Sequence, residues 1–421
     1  MEQNSPVTWW ARVVAVVRLL GPGVLMATAA VGGSHLVAST QAGAKFGWQL
    51  ALLILVVNIL KYPFFRAGVS YTISTKQTLQ QGYLEMGRGY LTLALVLNML
   101  ASVVNAAALL LFAASLLAYF IPFDIAIAVS AAAILGAILF ILLAGHFEAL
   151  DNVAKAIMAI LVVATVAAFS MALSNGAVKS DDYVSPSPWT MATLGFLVIT
   201  MGWMPAPIEI SSITSLWLKR QCKGQDVSPK SALFDFNLGY AVTTLLALLF
   251  LGLGALVLHG GSETLATNGI GFAQQLVGLY ANTIGSWSQW LIALVAFLCI
   301  FGSALTVYDG YARVVAEAVS LLVEKTPHQH AFVTPVLLIM SIVSFAIVLF
   351  FKSALLAMLG FAMTLAFLTT PVFAWLNHRL VKQQPLHHDA KAGVLVTLLS
   401  YVGLLYLFGF LVLFICWKWL G

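Results

Sequence analysis

Two groups of chemically active residues interrupt long apolar stretches of this 421-residue sequence. In the first, Gly32-Gly33-Ser34-His35 breaks the run GPGVLMATAAVGGSHLVAST. In the second, Met204-Pro205-Ala206-Pro207 breaks LGFLVITMGWMPAPIEISSI, with Met201 just before and Glu209 just after. Together they offer an imidazole, two thioethers, a carboxylate and the carbonyls of a Gly-Gly break. Imidazole accepts the softer divalent ions, thioether suits the softest, and hard ions want carboxylate oxygen. His35 has two readings: a group facing a solute, or one that satisfies carbonyls freed by the break. Ser34 reads as the N-cap of the following half-helix. Glu209 is either a dipole-matched acid at a half-helix N-terminus or a ligand and proton carrier. Pro207 removes a further backbone donor and widens the second break.

The elements that must hold these residues are transmembrane helices. The sequence is 61% hydrophobic and 8% charged, against about 25% charged in an average soluble domain. Continuous apolar runs, rather than ten-residue alternation, make the fold class all-α and polytopic and exclude a β-barrel. Eleven runs are predicted, over 13–40, 47–70, 90–119, 124–144, 152–173, 187–218, 232–258, 284–320, 331–351, 354–376 and 393–417. The whole chain, 1–421, reads as one transmembrane domain. Sixteen Lys and Arg residues, Lys61 among them, are assigned to one side, and only Lys45, Lys179, Lys352 and Lys418 to the other. That bias puts the N-terminus in the cytoplasm and the C-terminus outside, in a cell (inner) membrane. The net charge of +5 comes from these flanks and points to anionic lipid headgroups, not nucleic acid. No signal peptide is read at the N-terminus, where Trp9 and Trp10 mark the headgroup belt. Cys222, Cys299 and Cys416 have no metal-ligand spacing and make no disulfide framework. Within the outer loop 259–285, GIGFAQQLVGLY predicts a short interfacial helix. Pro63 predicts a kink near the inner end of the second span.

Hydrocarbon offers no partner to a free amide or carbonyl, so a broken span must line a cavity. Breaks at matching places in two halves of a chain mark a transporter's solute site. The expectation is a secondary transporter working by alternating access, without a cofactor. Sequences HExxH, GxSxG and GxxxxGK[ST] do not occur, which argues against an enzyme and against nucleotide-driven transport.

The segment GPGVLMATAAVGGSHLVASTQAGAKFGW resembles the first helix of the Nramp family of divalent-metal transporters. Gly21-Pro22-Gly23 and Gln41-Ala42-Gly43-Ala44 match its outer anchors, and Met204-Pro205 matches the start of its Met-Pro-His signature. The resemblance implies a LeuT-type architecture. Helices 1–5 (13–173) and 6–10 (187–376) would be inverted repeats, with an added helix at 393–417. It also implies that the metal-site residues are replaced. The family's Asp-Pro-Gly-Asn aligns with Gly32, Gly33, Ser34 and His35, and its signature histidine with Ala206, so only Met204 remains. The third span has no acid, and Asn105 is its most central polar group; the ninth has no arginine.

By the same resemblance, a coupling sodium would sit between carbonyls near Ala29 to Gly32 and Ser303, Thr306 or Asp309 of the eighth span. Glu209 is a second coupling candidate, for Na+ or H+. Asp309 has an alternative partner in Arg313, four residues on and on the same helical face. An uncompensated dication between Gly32, His35 and Met204 would be very costly at the midplane. The sequence therefore favours a small solute, carried by a monomer and bound by Gly32, Gly33, Ser34, His35, Met201, Met204, Ala206 and Glu209. Its alternative is a Mn2+/Fe2+-type importer whose metal ligands are His35 and Met204, with Met201 and Glu209 nearby. Glu148, Asp151 and Lys155 read as a solvated loop, as do His387, His388 and Asp389.

Overall fold

The computed structural model describes residues 21–420, apart from Asp124, His146, Asp181, Gln225, residues 262–265, Thr267 and residues 324–328; the side chains of 147–155, 157, 329, 330 and 420 are likewise left aside. Trp9, Trp10, Arg12, Arg18 and Lys325 thus lie outside the described residues, as do the side chains of Glu148, Asp151 and Lys155.

Most of the described residues are helical. The first span is broken into α1 (Pro22–Ala30) and a π-helical stretch (Ser34–Ser39) that runs into α2 (Thr40–Phe46). Then come α3 (Ala51–Thr75), the short α4 (Leu79–Met86), α5 (Arg88–Tyr119), α6 (Ile127–Leu143) and α7 (Phe147–Asn175). The sixth span is broken into α8 (Leu194–Gly202) and α9 (Ile210–Gly224). After it run α10 (Pro229–Val257), α11 (Gly269–Ile284), α12 (Gln289–Val323), α13 (Gln329–Phe351), α14 (Leu355–Gln383) and α15 (Val394–Leu420).

Among the described residues, eight helices are long and apolar enough to cross a membrane. Eleven spans were expected, and the difference has a physical origin. One of the eight, Ser34–Thr75, holds two spans joined by a turn at Gly47, whose φ of 60° favours glycine. The sixth span is cut in two by its break, and α6 has only 17 residues. GIGFAQQLVGLY forms the first part of α11, and Pro63 lies inside α3. The backbone at Glu148, Asp151 and Lys155, expected in a loop, belongs to α7, and Cys222 is in α9.

Helix contact relies on small residues, because lipid tails give no hydrophobic drive for helices to associate. A Cβ on Gly23 would lie 2.3 Å from the Asp235 carbonyl oxygen, and one on Gly43 would lie 2.0 Å from that of Leu251. The reciprocal contacts use Gly239 and Gly254 of α10. The first span is thereby pressed against α10 at both ends, which fixes where its break falls. Asp235 of α10 adds a cap: its carboxylate accepts from Gly21 N at 3.1 Å and Gly23 N at 2.7 Å, at the positive end of α1. The break itself is flanked by α12, and α8 packs on α14.

Candidate functional site

Between the two breaks lies a small cavity of about 30 Å3. Gly32, Gly33, Ser34, Ala206 and Pro207 line it, and Asn105, Trp203 and Tyr311 close its sides. Room of that size holds about one water. Gly33 is needed there because a Cβ would lie 2.7 Å from the Trp203 ring. Trp203 is buried, and its indole N–H finds no partner among the described residues.

The other expected residues are buried but stand behind this lining. His35 turns toward α10, where Nε2 donates to the Thr243 carbonyl at 2.9 Å. A carbonyl only accepts, so the neutral ring carries its hydrogen on Nε2 and Nδ1 is left to accept from the Ser34 hydroxyl at 2.6 Å. The Ala30 carbonyl, 2.7 Å from the same hydroxyl, competes for that hydrogen. Both ring nitrogens are thus engaged within the protein. Met204 Sδ lies 4.0 Å from the Ser39 hydroxyl, and Met201 Sδ accepts from the Tyr406 hydroxyl at 2.6 Å.

Glu209 is connected to the cavity through one side chain. Asn105 Nδ2 donates to the Tyr311 hydroxyl at 2.9 Å, which donates to Glu209 Oε1 at 3.3 Å. Glu209 Oε2 has no hydrogen-bond partner among the described residues. Facing the same break is a residue assigned by sequence to a cytoplasmic flank. Lys61 is instead fully buried in α3, so it drops out of the charge count. Its Nζ donates to the carbonyls of Met201 at 2.7 Å and Gly202 at 3.0 Å, the freed C-terminal end of α8. Glu209 stands on the other side of the same break, one residue before α9. One signal for Lys61 was present: a lone lysine inside the apolar run 47–70 is a functional candidate by default.

Of the eighth-span residues expected to hold a coupling cation, only Ser303 meets the carbonyls of the first break, and the oxygens of all three are engaged within the protein. Ser303 Oγ lies 2.9 Å from the Thr28 carbonyl and 3.3 Å from that of Val31, to which Cys299 Sγ also donates. Thr306 Oγ1 donates to the Ser303 carbonyl. Asp309 takes Arg313 bidentately, Nε at 2.8 and 2.9 Å and Nη2 at 2.7 Å. His387 and His388 are exposed beside a half-buried Asp389, which also lies 3.9 Å from Lys230.

A polytopic helical bundle whose first and sixth spans break around one buried cavity defines a membrane transporter. The chain belongs to the Natural resistance-associated macrophage protein-like (Nramp) family, whose profile matches residues 23–416. It is 44% identical over 417 residues to an uncharacterized protein of Pasteurella multocida (strain Pm70), covering 98% of this chain and 94% of that one. A mutant of the Eremococcus coleocola manganese transporter superposes with a TM-score of 0.69 at 14% identity, over 98% of this chain and 88% of that chain. MhsT in complex with L-phenylalanine superposes with a TM-score of 0.63 at 13% identity, over 93% and 98%. At such identities the likeness carries the fold, which is LeuT-type.

Proposed function

We propose that the chain moves a small solute bearing a carboxylate or zwitterionic group by alternating access, and that Mn2+ or Fe2+ is not its ordinary cargo. The observation that carries this reading is Lys61, a positive group held on the open end of α8. It supplies beside the break the cation that a metal site would receive from its ion, and Glu209 balances it. A dication at the break would meet a lysine ammonium instead of a free carboxylate, and like charges repel strongly in a low-dielectric interior. The lining supports the same reading. Gly32, Gly33, Ser34 and Ala206 make room, and the unused Trp203 N–H suits an acceptor oxygen rather than a cation. Cargo larger than a water enters when the half-helices part.

The second reading keeps the cargo of the Eremococcus coleocola relative and uses His35, Met204, Met201 and Glu209. It requires His35 to release the Thr243 carbonyl and turn toward the cavity. Calorimetry with Mn2+ on the purified chain, and Mn2+ flux in proteoliposomes, separate the two. We expect neither heat nor flux. Mn2+ binding that His35→Ala abolishes would overturn the proposal. Coupling is assigned to the Lys61–Glu209 pair rather than to Asp309, because Arg313 occupies Asp309. Flux that persists when choline replaces sodium supports this assignment, and strict sodium dependence lost in Ser303→Ala would return the role to the eighth span. In this reading the chain acts as a monomer in the inner membrane with its N-terminus cytoplasmic.

A further inference from the structure

A second cavity, of about 400 Å3, opens at one end of the bundle between α3, α14 and α15. Arg66, His378, Lys382 and Lys391 all line it, with Ser70 and Tyr401. Several basic groups around one hollow repel each other, and the contacts show how they are held. Arg66 Nη2 donates to the Lys391 carbonyl at 3.0 Å, which ties the loop before α15 to α3. Lys382 Nζ donates to the Tyr401 hydroxyl at 3.0 Å, and the His378 ring lies 4.9 Å from that of Tyr401. Of the acids nearby, Glu85 accepts from Gln384 at 3.2 Å, and Asp389 lies against Lys230 and His388. Neither lines the cavity.

A second, independent observation is the Ser70 hydroxyl. It is 1% exposed, belongs to a lining residue, and has no hydrogen-bond partner among the described residues. Buried hydroxyls are normally satisfied, so one left open in a basic cavity indicates an acceptor that is supplied from outside the chain. Phe64, Val381 and Val396 give the same cavity an apolar wall. Beyond it α15 exposes Val394, Leu395, Leu398 and Leu405.

We propose that this cavity binds a phosphate group, with Arg66, Lys382 and Lys391 neutralising its charge and Ser70 donating to one of its oxygens. The guanidinium of Arg66 supplies the planar fork that suits phosphate, and the two lysines act as point charges. An anionic phospholipid headgroup with its chains along α15 and a free phosphate compound share this chemistry. Basic pockets between transmembrane helices are known to take anionic headgroups.

Native mass spectrometry of the full chain in detergent, with phosphatidylglycerol or phosphatidylcholine added, tests the lipid source. Thermal melting with millimolar inorganic phosphate, against chloride at equal ionic strength, tests the free one. For a lipid, phosphatidylglycerol adducts should survive activation that strips phosphatidylcholine. They should fall at least tenfold in Arg66→Gln/Lys382→Gln/Lys391→Gln. Arg379→Gln is the control, because Arg379 stacks on Tyr90 and Trp375 instead. Phosphate stabilisation lost in the triple variant, without lipid adducts, assigns the site to a free phosphate compound. Ser70→Val leaves every basic group in place and should also weaken whichever ligand binds. If the triple variant and Ser70→Val both retain wild-type lipid adducts and wild-type response to phosphate, the proposal is wrong.

Discussion

Replacing Lys61 by methionine tests the account of the second break most directly. Methionine keeps much of the apolar stem that α3 buries, so the change removes a charge and a donor with little loss of packing. The carbonyls of Met201 and Gly202 then lose the donor now 2.7 and 3.0 Å away. Each buried acceptor left unsatisfied costs about 1–3 kcal/mol, so the pair should cost about 4 kcal/mol. At about 2 °C per kcal/mol for a large chain, the melting temperature should fall by roughly 8 °C. Thermal unfolding of the purified protein, followed by tryptophan fluorescence, reads this. The charge is tested separately with Glu209→Gln alone and combined with Lys61→Met. If the two groups balance one another, the double variant should be more stable than the sum of single effects, by about 1 kcal/mol or more. A methionine variant that melts within 1 °C of the parent would falsify the capping role. Strict additivity would remove the charge-balance argument and, with it, the main support for excluding a metal.

Four further outcomes follow from the same geometry. Tyr311→Phe removes the hydroxyl joining Asn105 to Glu209 and should lower solute flux severalfold while costing about 1–2 kcal/mol; unchanged flux detaches Glu209 from the cavity. Gly43→Ala puts a Cβ 2.0 Å from the Leu251 carbonyl oxygen, where backbone must shift, and should cost about 1–3 kcal/mol in melting experiments. Asp309→Asn breaks a bidentate pair that is partly exposed through Arg313 and should cost about 1–2 kcal/mol without changing sodium response; a change in sodium response would implicate Asp309 in coupling. Gly32→Asp combined with Lys61→Met restores a carboxylate and removes the cation. Calorimetry should then show Mn2+ binding that neither single variant has; continued silence would mean that the cavity, not its charge, excludes the ion.

Much of the architecture could be read from residues alone because a membrane makes composition nearly decisive. Apolar runs long enough to cross must be helices, and the Gly-Gly and Pro-x-Pro interruptions must lie where backbone groups can be satisfied. The segments holding both breaks follow from local sequence, as do Gly32, Gly33, Ser34 and Ala206 at the cavity between them. Less legible was the direction in which each side chain points. His35 was read as facing a solute or as satisfying carbonyls freed by its own break; its ring instead meets the Thr243 carbonyl of α10, 208 residues away. Met204 and Asp309 were likewise resolved by neighbours, Ser39 in one case and Arg313 in the other.

Lys61 marks the boundary most clearly. By itself the sequence determined that a lone lysine lay in the second span, and the strong bias of basic residues drew it toward a cytoplasmic flank. Only the tertiary structure brought its ammonium onto the open carbonyls of α8. The physical reason is that hydrophobicity is a one-dimensional property summed along a helix, whereas charge compensation depends on which helices meet and how each is rotated. The first requires that the breaks at residues 32–35 and 204–207 lie inside the bundle. The second sets the electrostatic balance there.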